Sequence, residues 1–262
     1  MDFEDGRSQS PAQLYYQWHG PAGDGPPLLL VHGGGSTIET NWGALIPELA
    51  RDRRLLAVEL QGHGRTPTGS GPASFERSAD DVAGLLAELG TGAVQVLGFS
   101  NGGQVALQLA MRHPALIARL IVASAPFQRD GMIDGFWDGL ASGEFGDMPD
   151  AYREADALVS GDPAHAERMF VLDRDLMLTG FQDFPGEGVA AIAAPTLIVA
   201  GDQDVIRRDH AVALADLIPG ARLLIVPGGH GDYLGEVFAT GEDLAPLRRT
   251  LPMLTDFLDD VF

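Results

Sequence analysis

The chain has 262 residues, 45% of them hydrophobic and 21% charged, enough for one α/β domain with a substantial core and too apolar for a disordered chain. With 37 acidic against 17 basic residues the formal net charge is −20, which repels phosphate backbones and anionic lipid, so neither nucleic acid nor a membrane surface is expected as a partner. Cysteine and lysine are both absent, which excludes thiol nucleophiles, thiolate metal sites, disulfides and Schiff bases, and leaves a hydroxyl or a carboxylate for covalent catalysis.

Met1 to Pro11 is acidic and polar, without the basic and apolar regions of a signal peptide. No apolar stretch approaches the roughly 20 residues of a membrane span, so a cytoplasmic location is expected by default. Leu14 to His19 alternates weakly and reads as an edge strand. Leu28 to Val31 and Leu55 to Val58 follow as short, continuous apolar runs, the pattern of strands covered on both faces. Arg77 to Leu89 carries Val82, Leu85, Leu86 and Leu89 at helical spacing and stops at Gly90. The strand Val94 to Leu97 precedes a helix over Gln104 to Arg112, and Leu120 to Val122 is the next strand.

From Phe127 to about Ala190 no strand-like run occurs, while Phe, Trp and Met accumulate. This stretch reads as a helical insertion with the role of a lid, and Phe136, Trp137, Met177 and Phe181 are the side chains expected to line an apolar pocket beneath it. Strands resume at Thr196 to Val199 and Leu223 to Val226, separated by a helix over Ala211 to Leu217. A last helix spans Asp243 to Leu258, where Pro252 is expected to kink or split it. The alternation predicts a mostly parallel, twisted sheet flanked by helices, with residues 1–126 and 191–262 as the core and 127–190 as the insertion.

The chemistry concentrates at strand ends. Gly98-Phe99-Ser100-Asn101-Gly102 matches G-x-S-x-G between a strand and a helix, where the turn is too sharp for side chains on either side of the serine. A serine in this place can instead be a plain N-cap; the strand before it and the helix after it favour the nucleophile. A hydroxyl nucleophile needs a base, and His230, reached from Val226 through Pro227-Gly228-Gly229, is the best placed of seven histidines. Asp204, beyond the strand ending at Val199-Ala200, is the acid that would orient it. Asp202 is the local competitor and Asp209 a distant one, while Asp130 is the nearest acid after the strand ending near Ser124. An oxyanion would need backbone donors, expected from Asn101 and from Gly34, with Gly35 the alternative, in His32-Gly33-Gly34-Gly35.

These residues together resemble the α/β-hydrolase family, in its lidded esterase, lactonase, haloperoxidase and iminopeptidase branch. The resemblance extends over nearly the whole chain: His32 to Gly35, the loop Gln61-Gly62-His63-Gly64-Arg65-Thr66, the turn at Ser100, Pro195 to Asp204, and Pro227 to Tyr233, with Ser, Asp and His in the family's order. Glu59 stands where many members carry Asp, and the connection after Gly231 to Gly235 is longer than usual. The resemblance implies acyl transfer through Ser100 on a small-molecule substrate, a carboxylic ester or lactone first, with carbon–carbon, thioester and peptide hydrolysis as alternatives. The aromatic and Met-rich insertion suggests an apolar or aromatic group.

Neither a cofactor nor a metal is expected. His63, His113, His165 and His210 show no metal-ligand spacing. A dinucleotide-binding reading of Gly33, Gly35 and Glu59 fails for want of the third glycine, whose place Ile38 takes. A non-catalytic binding protein on the same scaffold is the other alternative.

Overall fold

The computed structural model describes residues 3–23, 25–69, 71–240 and 243–261. Its sheet contains β1 (Glu4–Arg7), β2 (Tyr15–His19), β3 (Leu28–Val31), β4 (Leu55–Val58), β5 (Val94–Phe99), β6 (Ile117–Ala123), β7 (Thr196–Gly201) and β8 (Arg222–Val226), in the spatial order β1-β2-β4-β3-β5-β6-β7-β8. β1 and β2 pair antiparallel with each other and β2 with β4; all pairings from β4 to β8 are parallel.

The helices are α1 (Ile38–Trp42), α2 (Ile46–Leu49), α3 (Phe75–Leu89), α4 (Asn101–Arg112), α5 (Phe136–Ser142), α6 (Asp150–Ser160), α7 (His165–Asp175), α8 (Gly186–Ala190), α9 (Arg208–Leu217), α10 (Val237–Thr240) and α11 (Ala245–Leu258). Ser74 caps α3 by accepting from Arg77 N–H, and Gly90 closes it in a left-handed conformation, φ 63°.

Because side chains alternate across a strand, each continuous apolar run feeds two cores at once. Leu29, Val31, Leu56, Val58 and Val96 face one cluster, covered by α3, α4 and α9. Leu28, Leu30, Leu55, Ala57 and Leu97 face the other, closed by Trp42, Leu45, Leu247, Leu254 and Phe257. Burial on both faces is why these runs carry no polar alternation.

Two expectations change. Leu14 to His19 does form a strand, but β1 lies outside it, so it is not the edge. β1 has no apolar pattern to betray it; it is held by backbone pairing and by Tyr15 Oη donating to Asp5 (2.8 Å), and its charged residues suit an exposed edge. Met1 and Asp2 fall outside the described residues. The final helix runs unbroken from Ala245 to Leu258 with Pro252 inside it. Pro252 and Met253 are exposed, so the carbonyl that Pro252 leaves without its usual partner lies on the solvent side.

Between β6 and β7 the described structure is helical and irregular, apart from a single antiparallel bridge between Met132 and Ile206. Phe181 and Phe184 descend from this region onto Phe75 of α3, with ring centroids 5.8 and 6.4 Å away in edge contacts, and so extend the core beneath α5 to α7.

Candidate active site

Gly34, Ser100, Asn101, Asp204 and His230 lie beyond the carboxyl ends of the parallel strands β3, β5, β7 and β8. The chain leaves β3 for β4 on one side and later returns as β5 on the other, which opens a crevice between the loops after β3 and β5. Ser100 follows β5 directly, in a conformation of φ 53° and ψ −121°, a region L-residues seldom occupy. A Cβ on Gly98 would stand 2.3 Å from Gly102 O, and one on Gly102 2.1 Å from Val31 O. Side chains at either position are therefore excluded, and the turn that lifts Ser100 above the sheet depends on both glycines. Ser100 makes no side-chain cap bond to α4, so its hydroxyl is not spent on the N-terminus.

That hydroxyl lies 3.0 Å from His230 Nε2, and His230 Nδ1 lies 2.7 Å from Asp204 Oδ1. A carboxylate only accepts, so Nδ1 carries the proton and Nε2 is left to accept from Ser100. The imidazole packs on Phe99 with centroids 4.7 Å apart. Asp204 has a fully buried carboxylate, which by itself would raise its pKa; the bond from His230, the Ser124 hydroxyl and Gly201 N–H outweigh burial and hold the carboxyl below its usual range. Ser124 Oγ donates to Asp204 Oδ2 and lies 2.6 Å from Tyr233 Oη.

The competing acids are engaged elsewhere. Asp202 Oδ1 accepts from Gly228 N–H at 2.9 Å and braces the loop that carries His230. Asp209 pairs with Arg207 at the surface, and exposed Asp130 stands 4.0 Å from His210 Nδ1. Glu59 is fully buried and accepts from both the backbone and the guanidinium of Arg65 at 2.6 Å, so it faces no ligand. Among the described residues no group of three or more His, Asp or Glu side chains is arranged to hold a metal ion.

The glycine loop after β3 is fixed from below and above. Leu60 N–H donates to His32 Nε2 (3.0 Å), which puts the His32 proton on Nδ1, 2.7 Å from Gly33 O. Burial, helped by the neighbouring His63, holds the His32 pKa down to about 3, so the ring stays neutral. Gly33 N–H donates to Asn41 Oδ1 at 2.7 Å, and Gly35 N–H to Asp173 Oδ2 at 2.5 Å. The neighbouring donors on either side of Gly34 are thus engaged, and Gly34 lines the same cavity as Ser100 and Asn101. The Asn101 side chain lies against Gly34, its Nδ2 only 2.7 Å from where a Cβ would be.

Above Ser100 lies a cavity of about 430 Å³ walled by Gly34, Ser100, Asn101, His230 and residues of the helical region. Of the four side chains expected there, Phe136 and Met177 line it, together with Met132, Met148 and Phe170. Trp137 and Phe181 do not. Trp137 lies under the Arg129 guanidinium, 3.8 Å from the ring centroid, and donates to Arg129 O; Phe181 is wholly buried on Phe75. Trp137 braces the helical region internally and Phe181 anchors it to α3, a distinction that spacing in a sequence does not carry.

Sequence reasoning also missed Ser124, Tyr233, Asp173, Tyr152 and Glu236. Tyr152 of α6 lines the cavity and donates to Glu236 Oε1 (2.6 Å), past the His230 loop. His63 Nε2 joins Asp173 Oδ2 at 3.0 Å. Burial disfavours the His63 cation, but the Asp173 carboxylate beside it prevails and raises the pKa.

The protein has relatives with the same plan. It is 28% identical to the 2-hydroxymuconate semialdehyde hydrolase of Pseudomonas sp. strain CF600 over 225 residues, 77% of this chain and 79% of that one. The enol-lactonase of Burkholderia xenovorans LB400 superposes with a TM-score of 0.73 at 20% identity, over 94% of this chain and 96% of the other. The 2-hydroxy-6-oxo-6-phenylhexa-2,4-dienoate hydrolase of Rhodococcus sp. strain RHA1 gives a TM-score of 0.76 at 19% identity, over 98% and 99%. At such identities these structures speak for the fold alone. The sequence profile of the alpha/beta hydrolase family matches residues 28–240, and with the strand order and the turn at Ser100 this assigns the chain to the α/β-hydrolase family.

Proposed function

We propose that the protein is a serine hydrolase that forms an acyl-enzyme on Ser100, with His230 as general base and Asp204 as the acid that orients it. The relay from Ser100 Oγ to His230 Nε2 (3.0 Å) and from His230 Nδ1 to Asp204 Oδ1 (2.7 Å) carries this reading. His230 takes the Ser100 proton as Oγ attacks the carbonyl carbon, and the backbone N–H groups of Gly34 and Asn101 receive the developing oxyanion. His230 then returns the proton to the leaving group, and water repeats the sequence to release the acid.

The favoured substrate is a carboxylic ester or lactone with an apolar or aromatic group, because Met132, Phe136, Met148, Phe170 and Met177 supply the cavity wall. The relative named as a 2-hydroxymuconate semialdehyde hydrolase favours a second reading, carbon–carbon hydrolysis beside a carbonyl. Its substrate is an anion at neutral pH, whereas the wall here has Asp147 and Asp173 against the single cation Arg174 among the described residues, so the ester reading stands first.

The test is a panel of p-nitrophenyl esters, lactones and 2-hydroxymuconate semialdehyde with wild type and Ser100→Ala. Ester or lactone turnover lost in the variant is the expected result. Turnover of the semialdehyde alone would replace it with the second reading, and a fluorophosphonate probe that fails to label Ser100 would sink both.

A further inference from the structure

Gln104 is out of keeping with its surroundings. It sits one turn into α4, wholly buried, and neither its Oε1 nor its Nε2 has a hydrogen-bond partner. A buried amide left in this state is costly, because each unmet group has given up its hydrogen bonds to water with nothing in exchange. Gln108, one turn further along the same helix, meets Glu76 at 3.2 Å. Among the described residues, the other side chains with orphaned buried atoms (His19, Asn41, Trp42 and Arg53) do not line the cavity; Gln104 does. Of the other polar side chains on that wall, Tyr152 is committed to Glu236, Asp173 to Gly35 and His63, and Asp147 to Glu144 N–H, while the Asn101 amide packs against Gly34. Pro126, Met132, Phe136 and Met177 line the same cavity, and none of these side chains can pair with an amide.

Resting on the proposed ester hydrolysis, we infer that Gln104 is a specificity-determining residue that receives a polar group of the substrate's acyl chain, one that both donates and accepts, as a carboxamide does. Gln104 is the fourth residue of α4 and four residue steps from Ser100, about 6 Å along the axis. A group four bonds from the scissile carbonyl spans that distance. The carboxamide's N–H meets Gln104 Oε1 and its carbonyl accepts from Gln104 Nε2, so both orphaned atoms are satisfied in one contact. The methylenes between lie against the Met and Phe wall. The site is thus apolar along its length and polar at one point, and an apolar isostere leaves that point unpaired.

The experiment compares two isosteric esters, p-nitrophenyl 4-carbamoylbutanoate and p-nitrophenyl 5-methylhexanoate. Wild type is expected to favour the amide in kcat/KM by about tenfold, the effect of one to two matched hydrogen bonds in a dry site. In Gln104→Met, a volume-conserving change, the preference should reverse while the 5-methylhexanoate is still hydrolysed. A wild-type ratio of one or less overturns the inference without any variant. So does a ratio unchanged by Gln104→Met, as would follow if an internal water served the amide; should that variant fail to fold, Gln104→Ala carries the same comparison. Failure of the serine-hydrolase reading would look different, since neither ester would then be hydrolysed in a Ser100-dependent way.

Discussion

Neighbouring acids within the loop after β7 separate into different tasks by the partners each meets. Asp204 meets the His230 imidazole, and Asp202 meets Gly228 N–H. An amide at position 204 cannot stabilise a charged imidazole and would favour the wrong tautomer, so Asp204→Asn should lower kcat by about 10⁴-fold. Asn at 202 keeps a carbonyl oxygen able to accept from Gly228, so Asp202→Asn should stay within about tenfold of wild type. Steady-state kinetics on one ester rank the pair, and the reverse order would move the acid to Asp202. Asn101→Ala keeps the backbone donor but removes the amide packed on Gly34, so its loss should also stay within about tenfold, far short of Ser100→Ala. Ser100, Asp204 and His230 were legible in the sequence because strand ends advertise themselves: an apolar run stops and a glycine-rich turn follows. Ser124, Gln104 and Asp173 carry no such sign. Each acts through a partner 80 or more positions away or through the want of one, and only the folded chain brings those facts together.

The helical region between β6 and β7 is tied to the loops around Ser100 by its own polar contacts. Its entrance bridges Met132 to Ile206 beside the Asp204 loop, α6 reaches Glu236 through Tyr152, and the end of α7 reaches the glycine loop and His63 through Asp173. Displacing α7 would therefore release Gly35 and alter the setting of Gly34. The region's helical character was readable from the missing strands, but its contacts were not, since Phe136 and Trp137 are adjacent in sequence and face different surroundings. The Asp173–His63 pair has a pH signature. The folded His63 pKa is raised, with His32 neutral beside it and Asp156 adding to the effect of Asp173. Its contribution to stability is complete below the unfolded histidine pKa, about 6.5, and is lost as pH rises through the folded value. Thermal denaturation from pH 5.5 to 8.5 should therefore show wild type losing its advantage over Asp173→Asn as pH rises. Parallel curves would remove the ion pair from the account.

Across the whole molecule, the parallel strands deliver every site loop to one edge of the sheet, and the chain as a whole is strongly acidic. The net charge of −20 acts on any charged substrate before contact, and the cavity wall adds Asp147 and Asp173 against Arg174. Charges separated by more than a Debye length, about 10 Å at 0.1 M salt, are largely screened, so this long-range part is open to manipulation without mutation. For an ester with an anionic acyl group, kcat/KM should rise as sodium chloride is increased from about 10 mM to 0.5 M, by severalfold, because repulsion is removed. A neutral ester of the same length should change little over the same range. Its small change also controls for any effect of salt on the fold, which would move both substrates together. Because the effect belongs to encounter and binding, it should appear in KM rather than kcat. Equal slopes for the two esters would mean that the acidic surface serves solubility alone, and that selection against anions, where it exists, is made inside the cavity by Asp147 and Asp173.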